Sequence, residues 1–513
     1  MQTSQVSPSS PVSPPSPRPR RTERADLLLA GGAAVVAALC FLLVRASLID
    51  DAYITLSYAR NLAEEFHWGL TPFRTANSAT SPLNVLVLGL AAFVVRDPVW
   101  GLGVVFVVLT ALQALGLARL ARRLDLSRGA AVAATALLLL SPLFLAIVGM
   151  EMTLALTLAV WATVAAAERR PVLFGALAAL LVLTRVDLAV VPLVLLLATP
   201  GLLRRTHVVL GTALLVAAPW YVFSWVALGA LVPDTLVIKT VSTGAWGPWD
   251  FANGWQLYLE RYPAATVLAA IPALAGLLAL VVWPFVRRRA RWAGLGPVVA
   301  LGAAGVLHAV AYSLLAPPPF HWYYAPSVGA LTVTAAFLGA AAAGRRPAPA
   351  ADGSPAPVRR RPVALLAAAV AAALLLVDAA FALQRGVPWE MTPITTNWAT
   401  AEQYLAIGED LRAEVGDDVV RSPGEIGTLA YACRCDIVDP FSDRGTLLPQ
   451  IDQRQEEAGT VMRLLLRLNF ANLDRPPAAE PDRALVYEGG RPDGDWPVTS
   501  AWRGSGSFSL VAP

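Results

Sequence analysis

The sequence predicts an all-α polytopic membrane protein of about eleven spans, followed by a small external α/β domain at its C-terminal end. Three observations predict it. Hydrophobic residues make up 56% of the 513 residues and charged ones only 15%, where soluble domains carry roughly 25%; mean hydropathy is +0.57. Apolar runs of spanning length recur from Leu27 to about residue 383, with short loops between them that collect the arginines. Beyond residue 384 the hydropathy falls and short alternating segments replace the long runs.

Residues 1–25 are Ser/Pro-rich and end in "RPRRTER", which reads as a disordered cytoplasmic tail anchored by positive charge. The run 27–48 is too long for a signal-peptide core and lacks a small-residue cleavage pattern, so it is the first span. Further spans fall at 98–120, 129–148, 152–167, 171–185, 186–203, 207–229, 263–286, 294–316, 325–344 and 362–383. The apolar piece 82–95 is short of spanning length. If it crossed, "RLARRLDLSR" would fall outside, against the charge rule. It stays at the outer surface.

This threading of the cell membrane puts the N-terminus in the cytoplasm, the C-terminus outside and every basic cluster inside. Residues 26–344 form a transmembrane module with external loops 49–97 and 230–262. Residues 345–361 are a flexible cytoplasmic linker, 362–383 the last span and 384–513 the external domain. There, "NWATAEQYLAIGEDLRAEVG" reads as a helix and "DDVVRSP" and "CDIVDPF" as strands around a short helix "GTLAYA"; "RALVYEG" and "FSLVAP" read as late strands. No strong internal repeat is visible. The net charge of +4 is spread over loops rather than gathered in a basic domain, so nucleic acid is not a partner the sequence points to. Three cysteines, Cys40, Cys433 and Cys435, make no disulfide framework. The CRC pair reads as too close for easy bridging and has no metal-ligand company.

The threading sorts the ionisable residues. "LIDDAYITLSYARNL" follows the first span, so Asp50 and Asp51 lie at its outer end. One acid at a helix start caps free N–H groups and suits the dipole; the second exceeds that need. Residues 51–66 fit a surface helix with Tyr53, Ser57, Arg60, Asn61 and Glu64 on one face and Ile54, Leu56, Tyr58, Ala59 and Leu62 over the other. The outer face also receives Glu151, Arg185 with Asp187, Asp234 with Lys239, and His321. Each has a plain alternative. Glu151 could be a cap, Arg185 could be neutralised by Asp187, Lys239 could be a solvated lysine, and "HWYY" could be an interfacial aromatic belt. As a set they offer carboxylate bases for a hydroxyl and cations for a departing phosphate. The residues call for no certain cofactor, and a divalent metal is compatible with them.

The strings "DDAYITLSYARNL", "ANSATSPLN", "GMEMTL", "LTRVDL", "GALVPDTLVIKT" and "FHWYYAP", scattered in this order over roughly residues 45–345, resemble the GT-C class of polyprenyl-phosphate-sugar-dependent glycosyltransferases. Within it they resemble the actinobacterial terminal arabinofuranosyltransferases. The resemblance implies a GT-C-like membrane module and a cell-envelope glycosyltransferase working at the outer leaflet. Its donor would be a polyprenyl-phosphate sugar, arabinofuranose among the candidates, and its acceptor a glycan or lipid-linked hydroxyl. By position, Asp50 and Asp51 match the first-loop acids, Glu151 the second acidic site, Arg185 the arginine after the fifth span and Lys239 the lysine after "VP.T". Asp50, Asp51 and Glu151 are then the catalytic candidates, and Arg185 and Lys239, with His321 and Tyr324 added from the aromatic cluster, the donor-phosphate ones. Arg60, Asn77, Thr80 and Asp234 are the remaining substrate-binding candidates. The rival class is a transporter or flippase of lipid-linked saccharides, which would place its ionisable groups near the midplane and show inverted halves.

Overall fold

The computed structural model describes residues 19–235, 237–238, 246–288, 292, 294–344 and 362–513. The chain is a multi-pass membrane protein. Among the described residues seven helices are long and apolar enough to cross a membrane: Glu23–Val44, Pro98–Arg123, Thr206–Ala227, Pro263–Val286, Gly296–Leu315, His321–Ala343 and Leu365–Gln384. They match seven of the segments read from hydropathy. The other four of the eleven fold into shorter pieces. Gly129–Leu139 stops before Pro142, which opens a separate turn of helix, Pro142–Ala146. Met152–Ala167 and Pro171–Thr184 have 16 and 14 residues, and Val190–Leu197 has 8. The apolar piece outside the count is the 14-residue helix Pro82–Val95. The linker 345–361 and Lys239 lie outside the described residues.

Small residues let these helices approach closely. A Cβ on Gly276 would collide with the Leu331 carbonyl oxygen of the neighbouring helix Ala325–Ala343. The basic ends are tied by ion pairs: Arg122 and Arg128 both meet Asp26, and Arg119 and Arg170 both meet Glu168. Asp26 is at the opposite end of the first helix from Asp50, so the arginine-rich side and the acidic side face opposite ways.

The segment read as a surface helix is Asp50–Glu65, but its polar face is covered. The helix Gly427–Cys433 lies across it. Arg60 donates to the Tyr431 carbonyl at 2.7 Å and stacks over its ring, Tyr53 packs 5.1 Å from the same ring, and Glu64 pairs with Arg434 at 2.6 Å. An amphipathic pattern gives the two faces of a helix but not what covers the polar one.

The C-terminal region contains helices Ala401–Val415, Gly427–Cys433, Arg444–Glu457 and Thr460–Asn469 with a five-stranded sheet. Its strands are β1 Val420–Arg421, β2 Ile437–Val438, β3 Arg483–Gly489, β4 Trp496–Ser500 and β5 Gly504–Val511, in the order β2-β1-β3-β5-β4. β1 runs parallel to both neighbours; β3, β5 and β4 are antiparallel. The strands expected from "DDVVRSP", "CDIVDPF", "RALVYEG" and "FSLVAP" are present, as is the long helix, which starts on a Thr400–Gln403 capping box. β4 and the two helices after residue 443 were not read from the sequence. The expectation that Cys433 and Cys435 are too close for easy bridging is corrected: they form a disulfide, with Cα atoms 5.1 Å apart. Arg434 between them takes the left-handed conformation, φ 54°, which ends the helix and turns the chain back.

Candidate active site

A cavity of about 670 Å³ opens where the start of Asp50–Glu65, the 78–81 segment, the Met150–Glu151 turn, Arg185 and the C-terminal region converge. Its wall includes Asp50, Asp51, Thr80, Glu151 and Arg185, all singled out from sequence. Asp51 is half-buried there.

Arg185 ends the helix Pro171–Thr184 and is almost wholly buried. Its Nη1 donates to Glu151 at 2.9 Å, its Nε to Asp187 at 2.9 Å and its Nη2 to the Tyr312 hydroxyl at 2.7 Å. Asp187 also meets His308 Nε2 at 3.1 Å, and His308 Nδ1 meets Ser327 at 3.1 Å. The result is a fixed chain Glu151–Arg185–Asp187–His308–Ser327 with its Glu151 end in the cavity wall. A guanidinium shared by two carboxylates has little net charge left for a phosphate; its fork geometry instead sets where Glu151 points.

The adjacent acids differ. Asp50 is buried, and its two carboxylate oxygens accept the N–H groups of Gly427 at 3.0 Å and Thr428 at 2.7 Å. It caps a helix, but not its own. Burial pushes its carboxyl above the usual range, against the downward pull of those N–H groups. Asp51, about 100° further round the helix, lines the cavity.

Opposite them the C-terminal region supplies Asn397, Trp398, Glu425, Trp502 and Arg503 to the same wall. Glu425 Oε2 accepts the Trp398 N–H at 3.1 Å and the Tyr404 hydroxyl. Burial, and then the Asp50 charge, hold Glu425 well above the ordinary carboxylate range. Five tryptophans (Trp246, Trp249, Trp322, Trp398 and Trp502) line the space, and Arg261 and Arg503 stack on Trp502 and Trp398 at 5.6 and 5.4 Å. Among the described residues no group of three or more His, Cys, Asp or Glu side chains is placed to hold a metal ion.

No family model and no curated protein matches the chain. Solved structures do. ArnT from Cupriavidus metallidurans bound to undecaprenyl phosphate aligns with 95% of this chain and 98% of its own, at a TM-score of 0.53 and 15% identity. Its apo state aligns over the same shares at 0.52 and 14%. The fold is the GT-C fold. The mycobacterial arabinofuranosyltransferase AftD is a weaker likeness, with a TM-score of 0.48, 15% identity and 41% of that chain covered.

Within this GT-C fold five of the remaining sequence candidates do not line the cavity. Arg60 is held on Tyr431, and burial pushes its guanidinium down to about 10. Asn77 donates to Ser224 Oγ at 3.1 Å and to the Ala230 carbonyl at 3.2 Å. Asp234 is buried against Arg444 at 3.0 Å. His321 is buried beside Tyr258, and Tyr324 donates to the Phe251 carbonyl at 2.7 Å. Arg60, Asn77, Asp234 and Tyr324 thus join separate parts of the chain by hydrogen bonds, while His321 makes ring contacts. Lys239 lies outside the described residues, although Ile238 before it lines the cavity. Glu425, Arg261 and Arg503 were missed because each lies in an unremarked loop or helix end; "LYLERY" and "AWRG" were the local signs of aromatic–cation pairs.

Proposed function

We propose that the protein is a glycosyltransferase of the outer membrane face, moving a sugar from a polyprenyl-phosphate donor to a hydroxyl of a cell-envelope glycan or lipid-linked acceptor. The observation that carries this is the shared cavity, with Asp51 and the Arg185-oriented Glu151 on one wall and tryptophans around them. The same fold has been solved in ArnT with undecaprenyl phosphate bound, which supports the donor class. Arabinofuranose as the sugar rests on the sequence resemblance. The orientation is supported by the arginine pairs at Asp26 and Glu168, at the end opposite the cavity, because basic loops stay in the cytoplasm.

In this reading Asp51 takes the proton of the acceptor hydroxyl as its oxygen bonds to the anomeric carbon. The bond from that carbon to the phosphate oxygen breaks, and its electron pair leaves with the phosphate. Glu151, fixed by Arg185, faces the positive charge that develops on the sugar ring. Arg261, Arg503 and Lys239 are the cations available to the leaving phosphate, and the tryptophan faces exclude water and hold the apolar side of the sugar. Asp50 joins the two halves of the site.

The test is incubation of purified protein in lipid with a panel of radiolabelled polyprenyl-phosphate sugars and cell-envelope glycan acceptors. Transfer of one sugar, lost in Asp51→Asn, supports the reading. Absence of transfer across the panel by folded protein refutes it.

A further inference from the structure

The Thr460–Asn469 helix, TVMRLLLRLN, was not anticipated from the sequence and plays no part in the cavity. It has three faces. Leu466, Asn469 and the following Phe470 are buried, with Leu466 and Phe470 packing on Ala230, Leu447 and Ile451. Arg463 and Arg467 lie on a second face. On the third, Val461, Leu464, Leu465 and Leu468 are 74, 59, 54 and 51% exposed, at the i, i+3, i+4, i+7 spacing of one stripe. A water-facing helix of ten residues has no reason to present four large aliphatic side chains on one stripe.

The position of the helix identifies what covers that stripe. Trp225, near the end of the membrane-spanning helix Thr206–Ala227, donates its indole N–H to the Leu468 carbonyl at 3.0 Å, and the Val232 N–H donates to Asn469 Oδ1 at 2.8 Å. The short helix is therefore fastened to the end of a span. That span presents Leu214, Leu215, Val222, Phe223 and Val226 outward, as a lipid-facing helix does. The exposed leucines of the short helix therefore sit beside the end of a span whose own large apolar side chains are exposed.

We infer that Thr460–Asn469 is an interfacial helix. It lies in the plane of the bilayer at the cavity end, with Val461, Leu464, Leu465 and Leu468 among the acyl chains and exposed Arg467 at headgroup level. Amphipathic helices with leucines on one face and arginine beside it bind in this layer, and the arginine adds attraction to anionic lipid. The C-terminal region is then held to the membrane by its own surface as well as by its contacts with the spanning helices.

The test places nitroxide labels on the full chain, in a Cys40→Ala background, reconstituted in vesicles of phosphatidylethanolamine and phosphatidylglycerol. Labels go at Leu464→Cys and Leu468→Cys, with Gln453→Cys on the exposed side of the preceding helix as the water reference and Val461→Cys as the substitute should either leucine variant misfold. The expected result is that labels at 464 and 468 collide more with dissolved oxygen than with a water-soluble nickel chelate, with the opposite order at 453. Equal nickel access at all three positions overturns the inference. So do labels at 464 and 468 shielded from both reagents, because that face would then be packed on protein, a second copy included.

Discussion

Asp50 and Gly427 are 377 residues apart in the chain, yet the Asp50 carboxylate accepts the Gly427 N–H at 3.0 Å. The helix Asp50–Glu65 is thereby capped onto the start of the helix Gly427–Cys433, and the N-terminal ends of both border the cavity. Gly427 also has to be glycine, since a Cβ there would collide with the Asp50 carbonyl oxygen.

The adjacent acids should therefore fail differently. Asp51→Asn leaves the cap intact and removes the proposed base, so transfer should fall by about 10²–10⁴-fold while the fold is unchanged. Asp50→Asn keeps only one accepting oxygen for two N–H groups, at a cost of about 1–3 kcal/mol. It should raise amide hydrogen exchange over 427–431. Gly427→Ala should do the same by overpacking, at about 1–3 kcal/mol. Equal loss of turnover with unchanged exchange in both aspartate variants would remove the division of labour.

Glu425 gives the contact a pH dependence. Its carboxyl is held well above the ordinary range by burial and by Asp50, and burial pushes Asp439 up to about 7. For an acid whose folded-state pKa is raised, the proton is bound more tightly in the folded form. The stabilisation is complete below the unfolded value of about 4.3 and is lost as pH rises through the folded value. The thermal midpoint of the C-terminal region should therefore fall as pH is raised from about 4.5 through 7 and beyond. Glu425→Gln should flatten that slope by fixing the neutral form. A midpoint that rises over this window would contradict the assignment.

How much of this was legible in the chain follows from which forces act locally. Hydropathy located the long helices because the bilayer demands a fixed length. Length does not separate Pro82–Val95, left out of the span count, from Pro171–Thr184, counted in it, since each has 14 residues. Asp51, Thr80, Glu151 and Arg185 were legible because charged or polar residues at span ends stand out. Arg60, Asn77 and Asp234 stood out equally, yet they are spent on Tyr431, Ser224 and Arg444. Sequence shows that a buried polar group needs a partner and does not show which. The partner came from the C-terminal region for Arg60 and Asp234, hundreds of residues away. The Cys433–Cys435 bridge was missed because spacing alone did not show the left-handed turn at Arg434.

The orientation can be checked independently of activity. Asp26 and Glu168, with their arginines, lie at the end away from the cavity, so the cavity and the C-terminal region should face outside. Alkaline phosphatase fused after residue 390 should be active, and fused after Arg204 inactive. The reverse pattern would put the site in the cytoplasm and away from any outer-leaflet donor.

The last prediction concerns Arg185, where a bridging role and a phosphate-binding role diverge. Its guanidinium contacts Glu151 and Asp187 while almost wholly buried. Removing it leaves two acids in a low-dielectric site without their cation, and breaking such a pair costs about 3–5 kcal/mol. Arg185→Ala should thus lower both thermal stability and turnover, and Arg185→Lys should rescue little of either, because one ammonium cannot span both carboxylates and Tyr312. Glu151→Gln keeps the shape of the network and removes only one charge, so it separates the roles. If Arg185 serves to orient Glu151, Glu151→Gln should lose turnover with donor binding nearly unchanged, as expected for a contact made in the transition state. If Arg185 instead holds the donor phosphate, freeing it from Glu151 should tighten donor binding. Measuring donor affinity of Glu151→Gln by titration with an unlabelled polyprenyl-phosphate sugar distinguishes the two, and tighter binding would overturn the bridging role.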